Sequence, residues 1–277
     1  MSEQTPDPET QATGNAAEQA LRLYVFDCGV IDTVTSEEFG FEAGTLPSSM
    51  TTPCYLIVHP RGVLLWDTGE IPDAEFDNDG ELTRKRTFSA SRKLGELLAE
   101  VGYGPHNIDF LAFSHYHNDH VANANMFAGQ TWLVQRAERD AMFDPNPDFE
   151  RFGPVTPDQQ YFDQLKDART VIIENCDHDV FGDGSVVIKF SPGHTAGHQS
   201  LFVDLHDTGP LLITGDVYHY YDEINRPADF VNHVSNAVTT ESRRKLEAFA
   251  EETGADMWIP HDIRRAASFR KAPAFYC

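Results

Sequence analysis

The sequence predicts an α+β chain in which two sheets pack face to face with helices outside. Short β-rich apolar runs alternate with a few helical stretches, and the two halves follow a similar order without an obvious repeat by identity. His and Asp residues gather directly after those runs, at the strand ends where a rigid scaffold carries its sites. The 277 residues, 40% of them hydrophobic, suffice to bury a sizeable core.

Met1 to Ala20 is polar and rich in Gln, Glu, Thr and Pro, and reads as a disordered tail before one domain over 21–277. Leu21 to Asp27 is a first strand. Ile31 to Ser49, broken by Gly40, Gly44 and Pro47, is a loop placed to reach over a site. Tyr55 to Val58 and Val63 to Trp66 form a hairpin about Pro60-Arg61-Gly62. Asp67-Thr68-Gly69 follows, where an Asp can cap a turn or hold a metal-ligating His from behind. Ile71 to Arg86 is irregular. Ser89 to Val101 has Leu94, Leu97, Leu98 and Val101 at helical spacing, with Ser89 or Ser91 as cap.

Ile108 to Phe113 is a strand, and Val121 to Phe127 starts a helix. Thr131 to Gln135 is a strand and Arg136 to Phe143 a short helix. Asp144 to Asp158 is a Pro-rich loop whose Phe149 and Phe152 are candidates to line a substrate pocket. Thr170 to Ile173 and Ser185 to Phe190 are strands with Gly182-Asp183-Gly184 as the turn between. Ser200 to Leu205 and Leu211 to Thr214 are further strands. Glu241 to Glu252 is an amphipathic helix stopped by Gly254, and Asp256 to Ile259 is a last strand.

The net charge of −23 repels phosphate backbones and anionic surfaces, so nucleic-acid and membrane partners are not expected. No apolar run is long enough to span a bilayer, and the first twenty residues lack a signal-peptide pattern; a cytoplasmic location is expected. Cys28, Cys54, Cys176 and Cys277 form no CxxC pair and read as mostly buried thiols, with Cys28 and Cys54 near strand ends where they can meet.

The densest chemistry lies in Ser114-His115-Tyr116-His117-Asn118-Asp119-His120. If the preceding strand extends this far, His115 and His117 leave it on one side, while Asp119 and His120 lie in the turn beyond. Imidazole and carboxylate at this spacing suit two adjacent sites for zinc or similar ions. His194, Asp216 and His261 also follow apolar runs directly.

On these residues the chain resembles the metallo-β-lactamase superfamily, and within it the N-acyl-homoserine lactonases. The resemblance rests on HxHxDH at His115 to His120, Gly-His-Thr-x-Gly-His at Gly193 to His198, and Thr-Gly-Asp at Thr214 to Asp216. Pro260-His261 and Asp67-Thr68-Gly69 complete it. It implies an αββα sandwich with a binuclear centre. His115, His117 and His194 would bind one divalent ion, Asp119, His120 and His261 the other, and Asp216 both. Zinc is the expected metal, with iron, cobalt and manganese as alternatives.

The implied reaction is attack on a lactone carbonyl by a hydroxide held between the ions, with Asp119 passing a proton to the leaving group. Asp67 and His198 would support the ligands. Homoserine lactonases carry a Tyr three residues after the bridging Asp; here that position is His219, so contact with the substrate carbonyl falls to His219 or a neighbouring Tyr, Tyr218 or Tyr220. The expected substrate is a small neutral lactone or ester, with other carboxylic esters and organophosphates as the alternative. A homodimer is expected from the same resemblance.

Overall fold

Alternation decides how the first sheet is used. In Arg22–Phe26, Leu23 and Val25 face one side while Tyr24 and Phe26 face the other, and both sides are buried. A strand buried on both faces needs a layer on each. This computed structural model describes residues 20–76, 88–145 and 157–277. Among the described residues, seven strands form the first sheet, in spatial order Phe275–Tyr276, Arg22–Phe26, Cys54–His59, Gly62–Trp66, Phe110–Ala112, Thr131–Gln135 and Thr170–Ile173. Five form the second: His178–Asp179, Val186–Phe190, Gln199–Leu205, Gly209–Ile213 and Asp256–Trp258.

Leu23, Val25, Tyr55, Ile57, Leu64 and Trp66 of the first sheet meet Val186, Ile188, Leu201, Val203, Ile213 and Trp258 of the second in one core. The outer face of the first sheet packs on Leu94, Leu97 and Leu98 of the helix Leu94–Glu100. On the outer face of the second, Phe202 and Leu212 pack on Leu246 and Ala250 of the helix Asn236–Thr253. The architecture is the expected αββα sandwich.

Local expectations fared unevenly. The hairpin at Pro60-Arg61-Gly62 forms, and Gly254 ends its helix in the left-handed region at φ 71°. That helix begins at Asn236, five residues before the expected start, because the Ser235 hydroxyl accepts from Val238 N. The helix at Leu94 starts later than expected. Its cap is neither Ser89 nor Ser91: the Asp73 carboxylate accepts from Leu94 N at 2.7 Å and Gly95 N at 2.8 Å. Ser89 instead pairs with Val30 in a small third sheet of Ser49–Thr51, Val30–Asp32 and Phe88–Ser89. The stretch expected as a loop, Ile31 to Ser49, thus begins and ends in strands.

The turn Gly182-Asp183-Gly184 joins Val186–Phe190 to His178–Asp179, a strand absent from the expected set, whereas Thr170–Ile173 lies in the other sheet. The short helix Ile263–Ala266 and the strand Phe275–Tyr276 were also unforeseen, being too short to show a period.

Cys28 and Cys54 are joined by a disulfide, while Cys176 is exposed and Cys277 half-buried, so the four are not mostly buried thiols. Among the described residues no helix is long and apolar enough to cross a membrane. Phe149, Phe152 and the expected tail, apart from Ala20, lie outside the described residues.

Candidate metal centre

Parallel pairing brings the site residues together. Gly62–Trp66 and Phe110–Ala112 run side by side with Trp66 opposite Ala112, so Asp67 and Ser114 leave the sheet as neighbours. Asp67 adopts φ 60°, and its carboxylate accepts from Ser114 N at 2.6 Å. It also accepts from His120 Nδ1 at 3.0 Å. The strand stops at Ala112, short of the extension that would put His115 and His117 on one side of it. A loop carries them instead. The helix thought to begin at Val121 is a single turn, Asn118–Val121, followed by the 3-10 turn Ala124–Phe127.

The second sheet delivers the rest. Val186–Phe190 and Gln199–Leu205 pair with Phe190 opposite Gln199, and the connection between them carries His194. Gln199 donates from its backbone to Ser114 O at 2.9 Å and from its side chain to Phe113 O at 2.8 Å, fastening this sheet to the ligand loop of the first. Ile213 lies opposite Trp258 in parallel register, so Asp216 and His261, each three residues further on, emerge together. His198 holds Asp216 from behind, accepting from Asp216 N at 2.9 Å while its Nδ1 donates to Ser191 O at 3.0 Å. A Cβ at Gly215 would lie 2.6 Å from that imidazole, and Gly215 sits at φ 58°; both conditions ask for glycine.

Two groups of ligand atoms result, His115, His117, His194 and Asp216 in one and Asp119, His120, Asp216 and His261 in the other, each within 4.8 Å. His194 Nε2 lies 3.1 Å from His115 Nε2 and 3.0 Å from His117 Nδ1. Asp216 Oδ2 is 3.5 Å from His194 Nε2 and 3.0 Å from His261 Nε2, and Asp216 Oδ1 is 3.3 Å from His120 Nε2. Asp119 Oδ2 lies 3.1 Å from His120 Nε2 and 3.4 Å from His261 Nε2. Three ring nitrogens facing one another cannot all be satisfied by mutual hydrogen bonds, and among the described residues the buried His120 Nε2 and Asp216 Oδ1, though close to each other, make no hydrogen bond of good geometry. Cations shared within each group would satisfy them, and the imidazole and carboxylate donors fit divalent metal ions.

The electrostatics agree. Burial holds His115 and His194 well below the ordinary imidazole range and takes His117 down to about 4, so all three stay neutral, as ligands must. His120 is buried too, but Asp119, Asp216 and Asp67 outweigh that and push it up. Burial alone would raise Asp216, yet His261, His120 and His115 hold it well below the usual carboxylate range.

A cavity of about 270 Å³ opens over the ligands. Ile31, Met50, Phe88 and Phe230 give it an apolar wall, and His117, Asp119, Asp216, His219 and His261 a polar floor. His219 Nε2 is 3.4 Å from Asp216 Oδ2. Tyr218 does not reach the cavity, because its hydroxyl donates to Glu247 at 2.7 Å; the Tyr220 hydroxyl donates to Pro47 O at 3.0 Å.

The profile of the metallo-beta-lactamase superfamily matches residues 50–253. The chain belongs to that superfamily. It is 30% identical to N-acyl homoserine lactonase AttM of Azorhizobium caulinodans over 92% of this chain and 98% of that one. It is 26% identical to N-acyl homoserine lactonase AiiA of Bacillus thuringiensis subsp. kurstaki, over 80% and 85% respectively. Among solved structures it is similar to an N-acyl homoserine lactone hydrolase with N-hexanoyl-L-homoserine bound at its catalytic metal centre. That match has a TM-score of 0.73 at 24% identity and covers 93% of this chain and 99% of the other.

Other residues of this superfamily member escaped the sequence reading. Glu138 is buried and accepts from Tyr116 N at 2.8 Å, Gly197 N at 2.9 Å and the Thr195 hydroxyl at 2.8 Å, tying both ligand loops to one carboxylate. Glu223, paired with Arg243 at 2.6 Å, accepts from the backbone of His219 and Tyr220. His233 meets His194. None belongs to a motif, and no spacing in the sequence signals them.

Proposed function

We propose that the chain is an N-acyl-homoserine lactonase, a hydrolase that opens the lactone ring at a binuclear zinc centre. The observation that carries this reading is the pair of ligand groups sharing Asp216 beneath a cavity with one apolar wall. A polar floor suits the ring and its ester, and Ile31, Met50, Phe88 and Phe230 suit an acyl chain. Identity to named lactonases over more than nine-tenths of the chain supports the same substrate class.

His115, His117, His194 and Asp216 would hold one ion, and Asp119, His120, His261 and Asp216 the other. When bound, such a pair lowers the pKa of water and polarises a carbonyl. The residues do the rest. His219 reaches the floor with Nε2 and donates to the substrate carbonyl. Asp119, half-buried beside the cavity, takes the proton released by the attacking water and hands it to the ring oxygen as the acyl C–O bond breaks. Water supplies one oxygen of the new carboxyl group, whose proton is released at neutral pH, and the product is the open N-acyl-homoserine. Asp67 and His198 keep His120 and Asp216 in place. Residues 21–277 act as one hydrolase domain, working in the cytoplasm as a homodimer; fractionation and light scattering check the last two points.

A pH-indicator assay of ring opening on short-chain and long-chain acyl-homoserine lactones, with and without chelator pretreatment, tests the reading. Turnover that chelation removes is expected. Turnover confined to aryl esters or phosphotriesters would reject it.

A further inference from the structure

A histidine that gives one nitrogen to a metal turns the other toward a fixed partner, and that partner sets both its orientation and its basicity. The partners here differ. His120 Nδ1 donates to the Asp67 carboxylate at 3.0 Å, and His261 Nδ1 to the Thr51 carbonyl at 2.7 Å. His115 Nδ1 lies 3.1 Å from the Ser114 hydroxyl, which donates onward to Asp67 at 3.2 Å. His194 is unlike these. Its Nδ1 lies 2.9 Å from Nδ1 of another imidazole, His233.

The tautomers follow from the geometry. His194 Nε2 faces His115 and His117, so its proton is on Nδ1. The bond to His233 then exists only if His233 Nδ1 is bare and accepts, which leaves the His233 proton on Nε2. The segment bearing His233 is fastened to the loop it serves. Val234 N donates to His194 O at 3.2 Å, and Ser235 N to Gly193 O at 2.9 Å. The His233 ring is buried and packs at 5.2 Å, edge to face, against Phe230. His233 is not itself part of the cavity lining: its polar contact toward the site is the one to His194, while its ring packs beside Phe230 and His219, which do line the cavity.

We infer that His233 is the positioning residue of His194, and that the ion position containing His194 is the weaker of the two. A neutral imidazole polarises the His194 N–H less than a carboxylate would, so Nε2 of His194 stays a poorer donor than Nε2 of His120. The inference rests on the binuclear reading and adds an order of release to it.

Cobalt(II) serves as the probe, loaded into the full chain and withdrawn by graded chelator, with metal content and the visible cobalt spectrum read at each step. Wild type is expected to lose its two equivalents in two steps. His233→Ala should loosen the first equivalent by about 10- to 100-fold and leave the second unchanged, which also shows that the variant folds. His233→Asn places an amide oxygen near the lost Nδ1 and should restore the first step. His233→Asp, with a charged acceptor, should tighten it beyond wild type. If Ala and Asn behave alike, or both equivalents loosen together in His233→Ala, His233 merely packs and the inference falls. If wild type binds one equivalent or none, the binuclear reading itself is overturned.

Discussion

His219 reaches the cavity because the tyrosines on either side are committed elsewhere, Tyr218 to Glu247 and Tyr220 to Pro47. Glu223 fixes the backbone between them by accepting from His219 N and Tyr220 N. His219→Ala should therefore lower kcat by about 10²-fold, the usual cost of losing one donor to a developing oxyanion, with metal content full. Unchanged kcat would remove His219 from the mechanism. Asp216 serves both ligand groups, so Asp216→Ala should lose metal and turnover together; metal analysis beside the ring-opening assay shows whether they part.

Glu138 gives a test in pH. Burial raises its carboxyl from 4.5 to about 7, against the opposing hydrogen bonds from Thr195, Gly197 and Tyr116. A carboxyl raised in the folded state binds more protons folded than unfolded. Its contribution to stability is whole below about 4.5 and is lost as pH rises through about 7. Glu138→Gln cannot ionise. Between pH 5 and pH 8 its unfolding free energy should gain about 2–3 kcal/mol relative to wild type, measured by denaturant titration. A constant gap would mean that Glu138 titrates normally.

At the scale of elements, the longer strands were legible, whereas the starts of the helices at Leu94 and Asn236 were not. Cys54–His59 and Gly62–Trp66 could be read because apolar runs about a Pro-Arg-Gly turn are local signals. The helix Leu94–Glu100 takes its cap from Asp73, twenty-one residues upstream, which no local rule finds. Asp73→Ala should cost about 1 kcal/mol of stability, visible as a lower Tm, with metal content unchanged. An unaltered Tm would show that the cap is dispensable. The ligand loop teaches the same lesson. Alternation along a strand suggested how His115 and His117 share a direction, yet the strand ends three residues before His115, and the loop is shaped by Asp67, Glu138 and Gln199 from three other segments.

For the whole molecule, the centre is a joint between the sheets. His115, His117, Asp119 and His120 come from the first, and His194, Asp216 and His261 from the second. Ions that bind only the folded chain stabilise it by mass action, about 2.7 kcal/mol per site at a hundredfold excess over Kd. Chelator-stripped protein should melt at least roughly 5 °C below the loaded form in a thermal scan. Equal melting temperatures would place the metal outside the fold's stability.

The sequence by itself determined the superfamily, the αββα order and the seven ligand candidates, because those signals are local: residue type, spacing, and position after an apolar run. What only the tertiary structure decided is how the candidate ligands are held and which of their neighbours lines the cavity. Glu138, Glu223 and His233 are single residues in unremarkable surroundings along the chain, and they acquire their roles only when the sheets close on one another. The proposed choice of His219 over Tyr218 and Tyr220 is of the same kind, since it rests on where Glu247 and the Pro47 carbonyl lie in space.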